Sequence, residues 1–155
     1  MKQFILAILL APLCASAQIK IDDVGDGWKA KVDSAMFIIS QVSPHAKALI
    51  DSTTEHVEFW LGDRSSTRPD PKGGKGTILL AVDEIELGVV NIAAVLVHES
   101  FHLHIHRIKY KMAATDEEIA AYVWELAFLK QVTGCPSWLI RNAEYQIRTL
   151  STQNR

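Results

Sequence analysis

The chain has 155 residues, 48% of them hydrophobic, and a formal net charge of −2 at pH 7. This length is sufficient for one domain built around one hydrophobic core. The near-neutral charge, without a basic patch or an arginine–aromatic pattern, excludes the composition that is usual for nucleic-acid-binding proteins.

Residues 1–17 match a secretory signal peptide. Lys2 supplies the positive charge, a short apolar stretch follows it, and residues 15–17 (Ala-Ser-Ala) form a small-x-small cleavage pattern. We therefore expect residues 18–155 to form a single exported domain, periplasmic or extracellular. A lipid anchor on Cys14 is the alternative, but a bulky leucine precedes it where a small residue is expected. No later segment is long and apolar enough for a transmembrane helix.

The next part of the chain predicts two helices and a strand. Residues 28–42 carry apolar side chains at helical spacing and predict an amphipathic helix. Ser43 is a suitable N-cap, and Pro44 a suitable first residue, for a second helix. Residues 56–61 alternate loosely between polar and apolar side chains, which is typical of a strand.

A long polar segment, residues 62–76, separates this strand from the next one. It is rich in glycine and proline and predicts a loop, which forms a rim or lid over a site or is simply mobile. The apolar run Thr77–Val82 is rich in β-formers and predicts a second strand. Asp83 or Asn91 can cap the helix that follows.

Three further helices are predicted, over about residues 91–107, 115–131 and 136–150, and Gly134 ends the second of them. The chain is therefore expected to be mostly helical with a small strand pair or sheet, which is an α+β fold.

Residues 98–102 read His-Glu-Ser-Phe-His inside the apolar run of the first of these helices. On a helix His98 and His102 are one turn apart and point the same way, so their imidazoles can hold one Zn²⁺ ion. Glu99 lies about 100° round the helix, where it can take a proton from a metal-bound water. The alternative is a pair of partly exposed histidines on a surface helix, but ionisable groups in an apolar helix are usually paired or bind a metal.

The His-Glu-x-x-His spacing resembles the motif of the zincin metallopeptidases, and the chain looks like a small gluzincin-like member of that group. Ile105 and Ile108 stand where a metzincin would have glycine and histidine. The resemblance implies a zincin-like domain with the motif on a central helix and a peptide or protein as the substrate. It also implies that an extended peptide binds by strand addition to the strand before the motif helix, Thr77–Val82.

Glu118 is the expected third metal ligand, because gluzincins bring a glutamate from the helix after the motif. That helix is apolar nearly all round here, so a carboxylate on it needs a cation. Two alternatives stay open. Thr115-x-x-Glu118 is a capping box, and Glu117 or Asp116 could be the ligand instead.

Other polar residues near these helices have open roles. Glu125 could orient a ligand histidine or pair with an arginine such as Arg141 or Arg148. Gluzincins usually add a donor to the oxyanion, and the tyrosine candidates for it are Tyr110, Tyr122 and Tyr145. His104 and His106 are expected to face solvent or the edge of the core.

These features predict a zinc-dependent metallopeptidase in which His98, His102 and Glu118 bind the metal and Glu99 is the general base. One alternative is a non-catalytic zinc-stabilised exported protein, in which a buried fourth ligand such as His106 or Asp116 closes the site. The other is a degenerate peptidase fold that is kept for binding.

Overall fold

The protein is described by a computed structural model over residues 18–25 and 27–153. The predicted signal peptide, Cys14 included, lies outside these residues. Within them the chain forms six helices and four strands, in the order β1 (Lys20–Ile21), α1 (Trp28–Val42), α2 (Pro44–Thr53), β2 (Thr54–Trp60), β3 (Ser66–Arg68), β4 (Gly76–Ala81), α3 (Val82–Glu86), α4 (Val89–Arg107), α5 (Ala114–Leu129) and α6 (Ser137–Gln153).

The four strands form one mixed sheet in the order β1-β2-β4-β3. Strands β1, β2 and β4 are parallel to one another, whereas β3 runs antiparallel to β4. All residues of β4 except Leu79 are buried, as the continuous apolar run of a central parallel strand predicts. Strand β3 comes last in the strand order and is therefore an edge of the sheet.

Helix α4 lies at the centre of the fold and contacts α1, α2, α3, α5, β3 and β4. Twelve of its nineteen residues are buried, as is expected of a helix that is apolar nearly all round. It begins after Gly88, whose φ of 105° favours glycine. Because α4 is enclosed, its buried polar side chains must find partners inside the protein.

A glycine at position 76 allows α4 to approach the sheet closely. A Cβ atom on Gly76 would lie 2.5 Å from Cδ2 of Leu103 and 2.9 Å from the carbonyl oxygen of Arg68. Since packed cores leave no room for such overlap, a larger residue would push the motif helix or β3 outward. Gly76 thus leaves room for the Leu103 side chain of α4 and for the backbone at the end of β3.

The predicted α+β class is confirmed. The capping of α2 agrees with the sequence as well, because the Ser43 hydroxyl accepts a hydrogen bond from the backbone N–H of Ala46 at 3.4 Å. None of the described helices combines the length and the apolar character that a bilayer-spanning segment requires.

Several local predictions were wrong. Strand β3 lies inside the segment that was predicted to be a loop, and the short helix α3 was not predicted. Neither Asp83 nor Asn91 is an N-cap, because Ala81 precedes α3 and Gly88 precedes α4. The Asn91 side chain instead donates a hydrogen bond to the carbonyl oxygen of Glu84 at 2.8 Å.

Candidate metal centre

Three side chains from α4 and α5 converge on one point. The Nε2 atoms of His98 and His102 lie 3.3 Å apart. The Glu118 carboxylate lies 3.6 Å from Nε2 of His98 and 3.4 Å from Nε2 of His102. Both histidines are buried and Glu118 is half-buried, and the three residues form a group that could bind a metal ion.

Two further carboxylates hold the imidazole rings on the side away from Glu118. Nδ1 of His98 lies 3.0 Å from Glu125, and Nδ1 of His102 lies 2.7 Å from Glu117. A carboxylate accepts hydrogen bonds, so these contacts assign the proton of each neutral ring to Nδ1. Each Nε2 then carries a lone pair directed at the common point, which is how metal-binding histidines are usually oriented.

The spacing of the two imidazole nitrogens and the Glu118 carboxylate is compatible with a small cation in tetrahedral coordination. Atoms bound about 2.0–2.1 Å from such an ion lie about 3.3–3.4 Å from one another. The two Nε2 atoms are 3.3 Å apart, Oε1 of Glu118 is 3.4 Å from Nε2 of His102, and Oε2 is 3.6 Å from Nε2 of His98. Two imidazole nitrogens and one carboxylate suit a divalent transition-metal ion.

The pKa of His98 shows that this site favours a positive charge. Burial lowers the pKa of His98, but hydrogen bonds to Glu118 and Glu125 outweigh burial and raise this pKa to about 10. The hydrogen bond to His98 in turn lowers the pKa of Glu118, while burial opposes the shift. A proton on His98 thus neutralises part of the negative charge at the site. A metal ion that binds there has to displace this proton.

Glu99 lies beside the ligand group without belonging to it. Its exposed fraction is 8%. Burial raises the pKa of Glu99 to about 7, although the charge on His98 lowers it. A buried carboxyl group that still faces a cavity is able to exchange a proton with a water molecule there.

A cavity of about 470 Å³ opens onto the ligand group. Helices α4 and α5 form one part of its wall, and Leu139 and Asn142 of α6 form another. The remaining wall consists of Glu84 of α3 and of residues 64–67, which include the start of the edge strand β3. Part of the segment predicted as a loop is therefore the rim of the cavity.

Tyr122 is the tyrosine that lines this cavity. Its ring packs edge-on against the ring of His98, with ring centroids 4.5 Å apart. Burial raises the pKa of Tyr122 to about 12, so the hydroxyl keeps its proton at neutral pH. The other two candidates, Tyr110 and Tyr145, are 60% and 58% exposed and do not line the cavity.

Glu118, the predicted third ligand, lies with the two histidines, and the capping-box alternative is wrong. Helix α5 is preceded by Ala113, without a side-chain cap, so Thr115 lies inside the first turn. Glu117 contacts Nδ1 of His102 rather than joining the ligand group, and Asp116 is exposed.

The open question about Glu125 is answered by its contact with His98, and not with Arg141 or Arg148. His106 is exposed at the cavity wall and is not a member of the ligand group. The predicted strand addition to Thr77–Val82 is wrong, because β4 is already paired with β2 on one side and with β3 on the other. On this side of the sheet, the free edge is that of β3.

Sequence reasoning missed the residues of the rim. Arg64 and Ser65 line the cavity, and the Glu84 carboxylate accepts a hydrogen bond from the backbone N–H of Ser65 at 2.8 Å. No motif marks these residues, and a strand of three residues is too short to produce a periodic signal.

Comparisons with protein-family models, with curated proteins and with solved structures find no match. The functional argument therefore depends on the chemistry of the site itself. The roles of Glu99 and of the three ligands stay predictions.

We expect the protein to bind about one Zn²⁺ ion per chain and Glu118→Ala to lose most of it, because two imidazoles alone seldom retain zinc. Metal content after dialysis measures this. His104→Ala, on the same helix but outside the ligand group, is the control. Equal zinc in the wild type and in Glu118→Ala would contradict the assignment.

Glu125→Gln should weaken metal binding by about 10- to 100-fold without abolishing it, because the amide holds His98 in place but removes the charge behind it. Competition with a chelator of known affinity measures the change. Glu144→Gln, on the outer face of α6, should leave the affinity unaltered. An unchanged affinity in Glu125→Gln would show that this carboxylate does not tune the ligand.

Proposed function

We propose that the protein is a zinc-dependent metallopeptidase that hydrolyses peptide bonds, with His98, His102 and Glu118 as the metal ligands. The observation that carries this proposal is a group of three ligands that opens onto a cavity, with Glu99 beside it. Catalytic zinc sites use three protein ligands and keep one position for water or substrate, whereas structural sites are closed by four.

Glu99 is the general base in this proposal. When bound, zinc lowers the pKa of a coordinated water and polarises a carbonyl group. The Glu99 carboxylate accepts the proton of the attacking water and passes it to the leaving amine. Its burial keeps bulk water away from this proton transfer, and its position in the cavity wall leaves it in contact with the reacting groups.

Tyr122 is the donor that we propose for the oxyanion. Its hydroxyl is protonated at neutral pH, and its ring is held against His98. A hydroxyl placed beside the ligand group can donate a hydrogen bond to the carbonyl oxygen as negative charge develops on it.

The edge strand β3 is the proposed docking edge for the substrate backbone. Its residues Ser66 and Thr67 line the cavity, and β3 pairs with β4 on one side only. An extended peptide can form main-chain hydrogen bonds with such an edge.

A non-catalytic zinc site is the second candidate, and it requires a buried fourth ligand. Among the residues that the structure describes, the ligand group has three members, and His106 and Asp116 are both exposed. A degenerate binding module has no need for a carboxylate at the position of Glu99. Both observations favour the peptidase.

Glu99→Gln should keep its zinc and lose at least about 100-fold in the rate of peptide hydrolysis, because the amide cannot accept the proton. Cleavage of a peptide library, read by mass spectrometry beside metal content, tests both parts. Glu86→Gln, an exposed residue of α3, is the matched control. Full activity in Glu99→Gln would refute the mechanism.

Tyr122→Phe should lower kcat by about 100-fold with little change in metal content, because the variant removes one donor to the developing oxyanion. Steady-state kinetics on a peptide that the wild type cleaves separates kcat from KM. Tyr145→Phe, on the exposed face of α6, should behave as the wild type. A change in KM alone would show that Tyr122 contacts the substrate without stabilising the transition state.

A further inference from the structure

Arg64 brings a positive charge to the cavity wall. Of the described residues that line the cavity, it is the only arginine or lysine. Its side chain is exposed and forms no hydrogen bond or salt bridge with another described residue. Arg68, four residues later, binds Glu58 at 2.6 Å and does not line the cavity. Arg64 is thus a cation available to a ligand in the cavity.

The backbone beside Arg64 is anchored to the motif helix. The Ser65 N–H and hydroxyl both donate to the Glu84 carboxylate, and the Ser65 hydroxyl accepts the N–H of Ala81 at 2.9 Å. The carbonyl of Glu84 accepts a hydrogen bond from Asn91 of α4. These bonds connect the backbone next to Arg64 to the helix that carries the ligand histidines.

The cavity wall also carries five carboxylates, which are those of Glu84, Glu99, Glu117, Glu118 and Glu125. These groups repel a carboxylate that enters the cavity, whereas the metal and Arg64 attract it. Arg64 lines the same cavity as Glu118 and Tyr122, so a ligand in that cavity can contact the guanidinium group and the ligand group together.

We propose that Arg64 binds a carboxylate of the substrate, so that the site selects peptides with a carboxylate beside the bond to be hydrolysed. This inference rests on the proposed peptidase function. A guanidinium group forms two parallel hydrogen bonds with a carboxylate, which fix the orientation of the ligand as well as its charge. The carboxylate belongs to the chain terminus of the peptide or to an aspartate or glutamate side chain.

The test measures binding to the zinc-loaded Glu99→Gln protein, which does not consume its ligand. The peptides of the first pair are capped at both ends and differ only by a Glu or a Gln. The peptides of the second pair have no charged side chain and differ only by a free or an amidated C terminus. Calorimetry gives the affinities. We expect the carboxylate member of at least one pair to bind about 10-fold more tightly or better, and that pair identifies the source of the carboxylate.

The metal attracts carboxylates as well as Arg64 does. Substitutions in the zinc-loaded Glu99→Gln protein distinguish the contribution of the arginine from that of the metal. Arg64→Gln should remove most of the preference, Arg64→Glu should reverse it, and Arg68→Gln, the matched control, should keep it. The proposal is wrong if the protein with Arg64 intact prefers neither carboxylate peptide. It is also wrong if Arg64→Gln keeps the full preference.

Cleavage assays with Glu99 in place distinguish this inference from the proposed function. Hydrolysis without any effect of Arg64 on carboxylate preference would refute the role of Arg64 alone. A preference that depends on Arg64, without hydrolysis of any peptide, would support the carboxylate site and refute the peptidase function.

Discussion

The convergence of three electron-pair donors in a largely buried place is the constraint on which the site depends. The carboxylates behind His98 and His102 turn both Nε2 lone pairs toward Glu118. Donors held this close repel one another unless a positive charge lies between them, and burial removes the water that could screen them. A divalent cation neutralises this arrangement more completely than one proton does. The fold keeps the arrangement because the helix that carries both histidines is buried along most of its length.

The parts of the site that could be predicted are those that depend on the geometry of a single helix. The one-turn separation of His98 and His102 follows from helical periodicity alone. Glu118 was expected from the resemblance to gluzincins, and the need of a carboxylate on a largely apolar helix for a cation agreed with that expectation. In each case a local pattern restricts the chemistry before any tertiary contact is known.

The remaining roles depend on how the elements dock, which a single sequence does not contain. Neighbouring residues such as Glu117 and Glu118 point about 100° apart on a helix, and only the packing of α5 on α4 decides which faces Nε2 and which faces Nδ1. The edge strand β3 has three residues and owes its existence to pairing with β4, ten or so positions away in sequence. The backbone next to Arg64 is held by the bonds of Ser65 to Glu84 and Ala81, which are tertiary contacts as well. The sequence pattern around an arginine in a polar loop does not indicate a functional role, because that role depends on where tertiary contacts place the loop.

The histidines and all three carboxylates that surround them lie between residues 98 and 125, on two helices that follow each other along the chain. This helical hairpin therefore contains all the partners that metal binding requires. The rim is held by a separate set of contacts, from Ser65 to Glu84 and to Ala81. A change that detached the rim would thus leave the ion-binding residues together, whereas an ion bound by both helices would stabilise the hairpin itself.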